Sequence, residues 1–132
     1  MNKFLFKLVC LSFALLSCRK SNTIDEQLLR IPLGTCSQKA MGSSPLTICF
    51  DSVIQDSRCP LNVVCIWQGV AEARFWALIN NQSYAFTLSS NTILPGSRTD
   101  TTIGGYTISL HNLFPYPGDT SSQVYAELKV RR

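Results

Sequence analysis

The chain has 132 residues, with twelve lysines and arginines, eight aspartates and glutamates, and a formal net charge of +4. This length suits one domain with one hydrophobic core. The basic residues are scattered and form no stripe, which excludes nucleic acid as a partner. Outside the N-terminal segment no stretch shows a helical period, so we expect little helix.

The first residues are typical of a secretory signal. Lys3 and Lys7 provide a basic start, and a nearly unbroken apolar run extends from Phe4 to Leu16. The run of about 13 residues is shorter than the roughly 18–20 that a membrane-spanning helix needs. We therefore predict that residues 1–17 are a cleaved signal peptide, the alternative being an uncleaved anchor.

The stretch Leu15-Leu16-Ser17-Cys18 resembles the lipobox of bacterial lipoproteins, in which a small residue precedes an obligatory cysteine. The resemblance implies cleavage before Cys18, a diacylglycerol on its thiol, and a further acyl chain such as palmitate on the new amine. One acyl chain binds a membrane only marginally, and each buried methylene adds about 0.8 kcal/mol, so several chains hold firmly. The alternative is a plain cleaved signal with a free Cys18. The covalent lipid is the only cofactor expected.

The residues after Cys18 are polar and give the domain plan. Residues 18–27 are predicted to be a flexible tether, and residues 28–132 a β-domain. Some Gram-negative lipoproteins carry acidic residues directly after the cysteine as a cue for display outside the cell, and Arg19-Lys20 stands there instead. We therefore expect an exported protein anchored by lipid to the outer membrane on its periplasmic face, or to another envelope membrane.

Four cysteines remain once Cys10 is assigned to the signal peptide and Cys18 to the lipid. An even number in an exported chain predicts disulfides. Zinc is the competing explanation, but there is no C-x-x-C pair and His111 is the only histidine. We therefore predict no metal site.

Spacing favours one of the three possible pairings of these four cysteines. Cys36 and Cys49 lie symmetrically about Gly42-Ser43, so a hairpin turning there would place them opposite each other. Cys59 and Cys65 would then close a short loop.

Alternation of apolar and polar residues predicts strands through most of the domain. The segments with this pattern include Leu29–Leu33, Leu46–Phe50, Val70–Ile79, Tyr84–Leu88, Tyr106–Leu110 and Val124–Val130. Asn80-Asn81 predicts a hairpin turn, and the stretch from Ser89 to Gly105 is expected to be a long loop. About six or seven strands indicate an all-β fold, a single small antiparallel β-sandwich or partly closed barrel, stapled by disulfides.

The densest motif occupies residues 56–69 and reads D-S-R-C-P, four residues, C-x-W-x-G. It resembles a group of small exported bacterial proteins, many of them predicted Gram-negative lipoproteins. The resemblance extends over most of residues 46–130, including Tyr106 and Pro115-Tyr116-Pro117. It implies an exported lipoprotein but no particular activity, and the shared pattern does not include Cys36 and Cys49.

The motif is interpreted as a disulfide-closed loop with two possible roles. Asp56 can pair with Arg58, Pro60 restricts the backbone and Gly69 allows a bend, while Trp67 is large enough to cover the disulfide and one end of the core. These five residues form either a candidate recognition loop or, by the interpretation we favour at this point, a folding staple with a tryptophan lid.

A second candidate is an aromatic patch, formed by Phe114 and Tyr116 among prolines. Rigid aromatic residues bind sugars or peptides, and they also cap a core where a chain leaves a strand. The cap is the favoured interpretation.

No convincing catalytic constellation is present, so we predict no catalytic residues and no enzyme. His111 is expected to face solvent, and Asp51 and Asp56 supply too few oxygens for calcium. The preferred function is a non-enzymatic binding module of the cell envelope whose partner is a protein, a peptide or a glycan. The alternatives are an envelope-structural protein without a discrete ligand and, less favoured, a protease inhibitor or a hydrolase.

Overall fold

The computed structural model describes residues 26–41 and 44–132. The predicted signal peptide, Cys18, nearly all of the tether and the turn at Gly42-Ser43 lie outside the described residues. Across the described part of the chain no helix is long and apolar enough to cross a membrane. The strands in that part are β1 (Gln27–Pro32), β2 (Cys36–Met41), β3 (Ser44–Asp56), β4 (Ala71–Ile79), β5 (Gln82–Ser89), β6 (Asp100–Ile103), β7 (Tyr106–Phe114) and β8 (Tyr125–Arg131).

The eight described strands form two antiparallel sheets of four strands each, ordered β1-β8-β7-β6 and β2-β3-β4-β5. The sheets stay separate and pack on a shared core, which confirms the all-β fold and selects the sandwich over the partly closed barrel. β1 begins at Gln27, one residue before the predicted start of the domain.

The expectation of a continuous loop from Ser89 to Gly105 is wrong, because Asp100–Ile103 forms β6 at the edge of one sheet. With four residues, β6 is too short to show alternation clearly. Its pairing with β7 depends on the turn at Gly104-Gly105, where both residues adopt positive φ angles of 57° and 82°. The described residues thus form eight strands, against the expected six or seven.

The core consists of the inward faces that alternation predicted. In β4, Phe75, Ala77 and Ile79 are buried while the intervening residues are exposed. The other core residues include Leu29, Ile31, Leu46, Ile48, Phe50, Tyr106, Ile108, Ala126, Leu128 and Val130. Leu33 does not continue the alternation, because β1 ends at Pro32 and Leu33 lies in the following turn with its side chain exposed.

The β4–β5 hairpin confirms the turn predicted at Asn80-Asn81. Ile79 pairs with Gln82, and the two asparagines between them have φ angles of 49° and 62°. Positive φ at both central residues is the geometry of a two-residue hairpin turn, and asparagine tolerates it better than most residues.

The first predicted disulfide is confirmed. Cys36 lies directly opposite Cys49 in the β2–β3 register, and their sulfurs are bonded. Cys49 is also opposite Trp76 on β4, so this bridge lies beside an aromatic ring on the outer face of the sheet.

Bulges shift the alternation at three positions that the sequence did not reveal. Asp51 and Ile54 are extra residues in β3, and His111 is one in β7. Because the bulge at His111 advances the pattern by one residue, Leu113 turns into the core. His111 itself is exposed, as expected.

Candidate functional site

The segment between β3 and β4, residues 57–70, is called the stapled loop here. It projects from the end of the sandwich at which β7 ends and β8 begins. The Leu61 amide donates to the carbonyl of Pro117 at 2.9 Å, which joins the loop to the connection between β7 and β8. This end of the sandwich is called the loop end.

The second predicted disulfide, Cys59–Cys65, is also confirmed and closes the middle of the stapled loop. Backbone hydrogen bonds close its base, from Ser57 N to Val70 O at 2.8 Å and from Cys59 N to Gln68 O at 3.3 Å. The loop is therefore fixed both covalently and by its own backbone.

Arg58 connects the base of the loop to the opposite sheet. It is 8% exposed, and its guanidinium donates to both carboxylate oxygens of Asp56, at 2.8 and 2.7 Å. It also donates to the carbonyls of Leu113 at 2.6 Å and Pro115 at 3.0 Å, and lies 4.2 Å from the ring centroid of Tyr116. A bidentate ion pair with two further acceptors satisfies a buried guanidinium well. Asp56 and Arg58 thus position the loop from beneath.

Gly69 is required by close approach as well as by conformation. Its φ angle is +68°, and a Cβ built there would lie 1.9 Å from the carbonyl oxygen of Ser57. The Asn91 amide donates to the Gly69 carbonyl at 2.7 Å, which holds the same turn from the other side. The bend predicted at Gly69 is present, and the close approach of Ser57 adds a second reason for glycine there.

The interpretation of Trp67 as a lid on the disulfide and the core is wrong, because its side chain is 81% exposed. The aromatic ring against the buried Arg58 is that of Tyr116 and not that of Trp67. The turn at Gly69 and the Cys59–Gln68 hydrogen bond leave Trp67 on the outside of the loop.

Trp67 belongs to a group of exposed apolar residues that we call the apolar tip: Leu61, Val63, Val64, Ile66 and Trp67. Val64 is fully exposed and Ile66 is 95% exposed, while Leu61 and Val63 are about half exposed. Residues 59–69 include no charged side chain. Single exposed apolar residues are common on protein surfaces, but five of them between residues 61 and 67 of one disulfide-closed loop indicate an interaction site.

Phe114 and Tyr116 are half-buried and their rings meet edge to face, with centroids 5.8 Å apart. Phe114 also stacks on Tyr125 at 4.8 Å. The aromatic residues thus pack among themselves and against Arg58, as residues that cap a core do.

The two aspartates considered for chemistry are engaged separately. The Ser52 hydroxyl donates to the Asp51 carboxylate at 2.9 Å, while Asp56 is held by Arg58. No cluster of three or more potential metal ligands occurs within residues 26–41 and 44–132. His111 lines a cleft of about 240 Å³ beside the stapled loop, together with Gln68 and Asn112.

One ion pair away from the loop carries the clearest electrostatic perturbation. Arg30 on β1 donates to the buried Glu127 on β8 at 2.8 Å. This hydrogen bond lowers the pKa of Glu127 below its ordinary value and raises the pKa of Arg30. Both shifts stabilise the charged pair at neutral pH.

Comparison with protein-family models, with curated proteins and with solved structures found no match to this chain. The function is therefore inferred from the loop end itself.

Proposed function

We propose that this protein is a lipid-anchored protein of the cell envelope whose β-domain binds another macromolecule without catalysing a reaction. The binding surface is the apolar tip. The observation that carries the proposal is the exposure of Val64, Ile66 and Trp67 on a loop fixed by a disulfide and by Arg58.

Energetics favour a binding role for such a surface. Burying one large apolar side chain contributes roughly 1.5–3 kcal/mol, so three of them supply about 5–9 kcal/mol before the costs of association are subtracted. A loop that is already ordered loses little entropy on binding, and tryptophan is enriched among residues that dominate interface energy. The tip therefore combines a large apolar contribution with a low ordering cost.

The anchored location is supported by chemistry elsewhere in the chain. Two disulfides are compatible with export, because bridges of this kind persist in oxidising compartments. The lipobox-like Leu15-Leu16-Ser17-Cys18 supplies the anchor, and the outer membrane or another envelope membrane is the proposed site of attachment.

The test compares capture of envelope proteins by three forms of the lipidated protein, solubilised in mild detergent. The forms are wild type, the variant Val64→Ser/Ile66→Ser/Trp67→Ser, and the control Leu28→Ser, which alters an exposed leucine on β1. We expect the same partner with wild type and the control, and at least about 100-fold weaker binding, about 2.7 kcal/mol, with the triple variant. Equal capture by all three, or no discrete partner, contradicts the proposal and favours an envelope-structural role.

A further inference from the structure

The point where the tether joins the domain lies at the opposite end of the sandwich from the apolar tip. Gln27, at the start of β1, pairs with Val130 near the end of β8, whereas Pro32 pairs with Tyr125 at its start. Tyr125 in turn pairs with Phe114, and the next residue, Pro115, accepts a hydrogen bond from Arg58 of the stapled loop. β1 therefore runs from the tether end to the loop end.

The other end of the sandwich is closed by different contacts, so the two ends are distinct. The Tyr106 hydroxyl donates to the Met41 carbonyl at 2.9 Å, and Arg132 donates to the same carbonyl at 2.9 Å. These residues lie at the edge of the sheets where Gln27 begins β1. Glu26 is held there by Lys129, with 3.3 Å between the charged atoms.

Length sets a limit on where the apolar tip can reach. Nine residue steps separate Cys18 from Gln27, so this segment spans at most about 32 Å even when fully extended. The strand from Gln27 to Pro32 covers about 17 Å. The stapled loop follows the end of β3 and is bonded through Leu61 to Pro117, past the end of β7, so it lies at the far end of this strand. For the tip to enter the bilayer that holds Cys18, the segment from Cys18 to Gln27 would have to run back along the domain. More than half of its maximum length of about 32 Å would then be used to cover the length of β1.

The chemistry of the loop also disfavours a membrane as the partner. Loops and helices that bind anionic bilayers combine apolar side chains with lysine or arginine at the headgroup level. Residues 59–69 include no charged side chain. The nearest cation in sequence, Arg58, is buried and paired with Asp56, so it is not offered to lipid headgroups.

We infer that the domain presents its apolar tip away from the membrane of its own lipid anchor, to an apolar pocket on another envelope protein. This inference rests on the proposed function and narrows it, because it selects a protein as the partner. Trp67 and Ile66 are the side chains that enter the pocket. The uncharged surroundings of the tip fit a pocket lined by apolar residues rather than an ionic site.

The experiment uses the full-length lipidated protein in living cells, with a photoreactive amino acid at position 64 or, as a matched control, at position 28. Val64 is at the tip and Leu28 at the tether end, and both side chains are exposed. After irradiation, adducts are separated into protein and phospholipid by mass spectrometry. The same measurement is repeated with Trp67→Ser in the chain that carries the probe at position 64.

The inference predicts a discrete protein adduct from position 64 that position 28 does not give and that Trp67→Ser reduces by about tenfold or more. A phospholipid adduct from position 64 would overturn the inference and leave the tip as a binding surface, since the bilayer would then be its partner. The same protein adduct from both positions would overturn the assignment to the tip. No adduct from position 64 would overturn both this inference and the proposed function.

Discussion

Replacing Gly69 with alanine tests how the stapled loop is held at its base. Two effects destabilise the variant. An alanine at φ +68° costs about 1–2 kcal/mol for the left-handed conformation. Its Cβ would also lie 1.9 Å from the carbonyl oxygen of Ser57, which is a steric overlap. The backbone must move apart to relieve this overlap, which weakens the Ser57–Val70 and Cys59–Gln68 hydrogen bonds at about 1 kcal/mol each. We expect Gly69→Ala to lower the free energy of unfolding by about 3–4 kcal/mol.

The matched control is Gly96→Ala, because Gly96 has a φ angle of +81° with nothing within 4 Å of the added Cβ. It should cost only the conformational part, about 1–2 kcal/mol. Urea unfolding of both variants under oxidising conditions gives the two values. Equal destabilisation would refute the steric reasoning and leave only the backbone conformation as the requirement at Gly69.

Three further predictions concern stability. Arg58→Ala leaves the Asp56 carboxylate without its ion pair and should lower the free energy of unfolding by about 3 kcal/mol, measured in urea; an effect below about 1 kcal/mol contradicts the assigned network. The folded-state pKa of Glu127 is lowered by its pair with Arg30. The pair therefore contributes its full stabilisation at pH values above the ordinary glutamate pKa of about 4.3. This contribution is lost as the pH falls through the folded-state pKa. Glu127→Gln should therefore flatten the acid limb of the stability profile, and an unchanged limb would contradict the assignment. Trp67→Ser should change the free energy of unfolding of the free domain by no more than about 0.5 kcal/mol, since the side chain covers no core. A melting temperature lowered by many degrees would instead support the interpretation of Trp67 as a lid on the core.

Alternation was sufficient to predict the all-β fold, though not to choose between a sandwich and a partly closed barrel, because the strands are half-buried over most of their length. β4 shows this best, with Phe75 and Ala77 inward and Trp76 and Leu78 exposed, whereas in β8 Glu127 is buried between Ala126 and Leu128. The disulfide between Cys36 and Cys49 followed from symmetry about a turn, since an antiparallel register pairs residues equidistant from it.

The sequence could not reveal the bulges at Asp51, Ile54 and His111. A bulge adds one residue to one strand, and its position depends on the partner strand and not on a local pattern. For the same reason the burial of Leu113 in β7 was not predicted.

The candidate site was predicted in part. The Asp56–Arg58 pair was predicted because only one residue separates the two in the chain. The carbonyls that complete the network are distant in sequence, since Leu113 is in β7 and Pro115 is in the connection that follows it. The exposure of Trp67 also depends on tertiary structure, because the ring that packs on Arg58 comes from Tyr116, which is distant in sequence. Exposure of the apolar tip therefore emerged only from the fold.

Burial of Trp67 on binding is the measurement that tests the role of the apolar tip most directly. In a Trp76→Phe background, Trp67 is the only tryptophan, and its fluorescence can be followed while the protein partner identified by crosslinking is added. The indole, 81% exposed in the free domain, should shift to shorter wavelength and become protected from acrylamide quenching in the complex. If Trp67 stays as accessible to acrylamide in the complex as in the free protein, the apolar tip is not the binding surface.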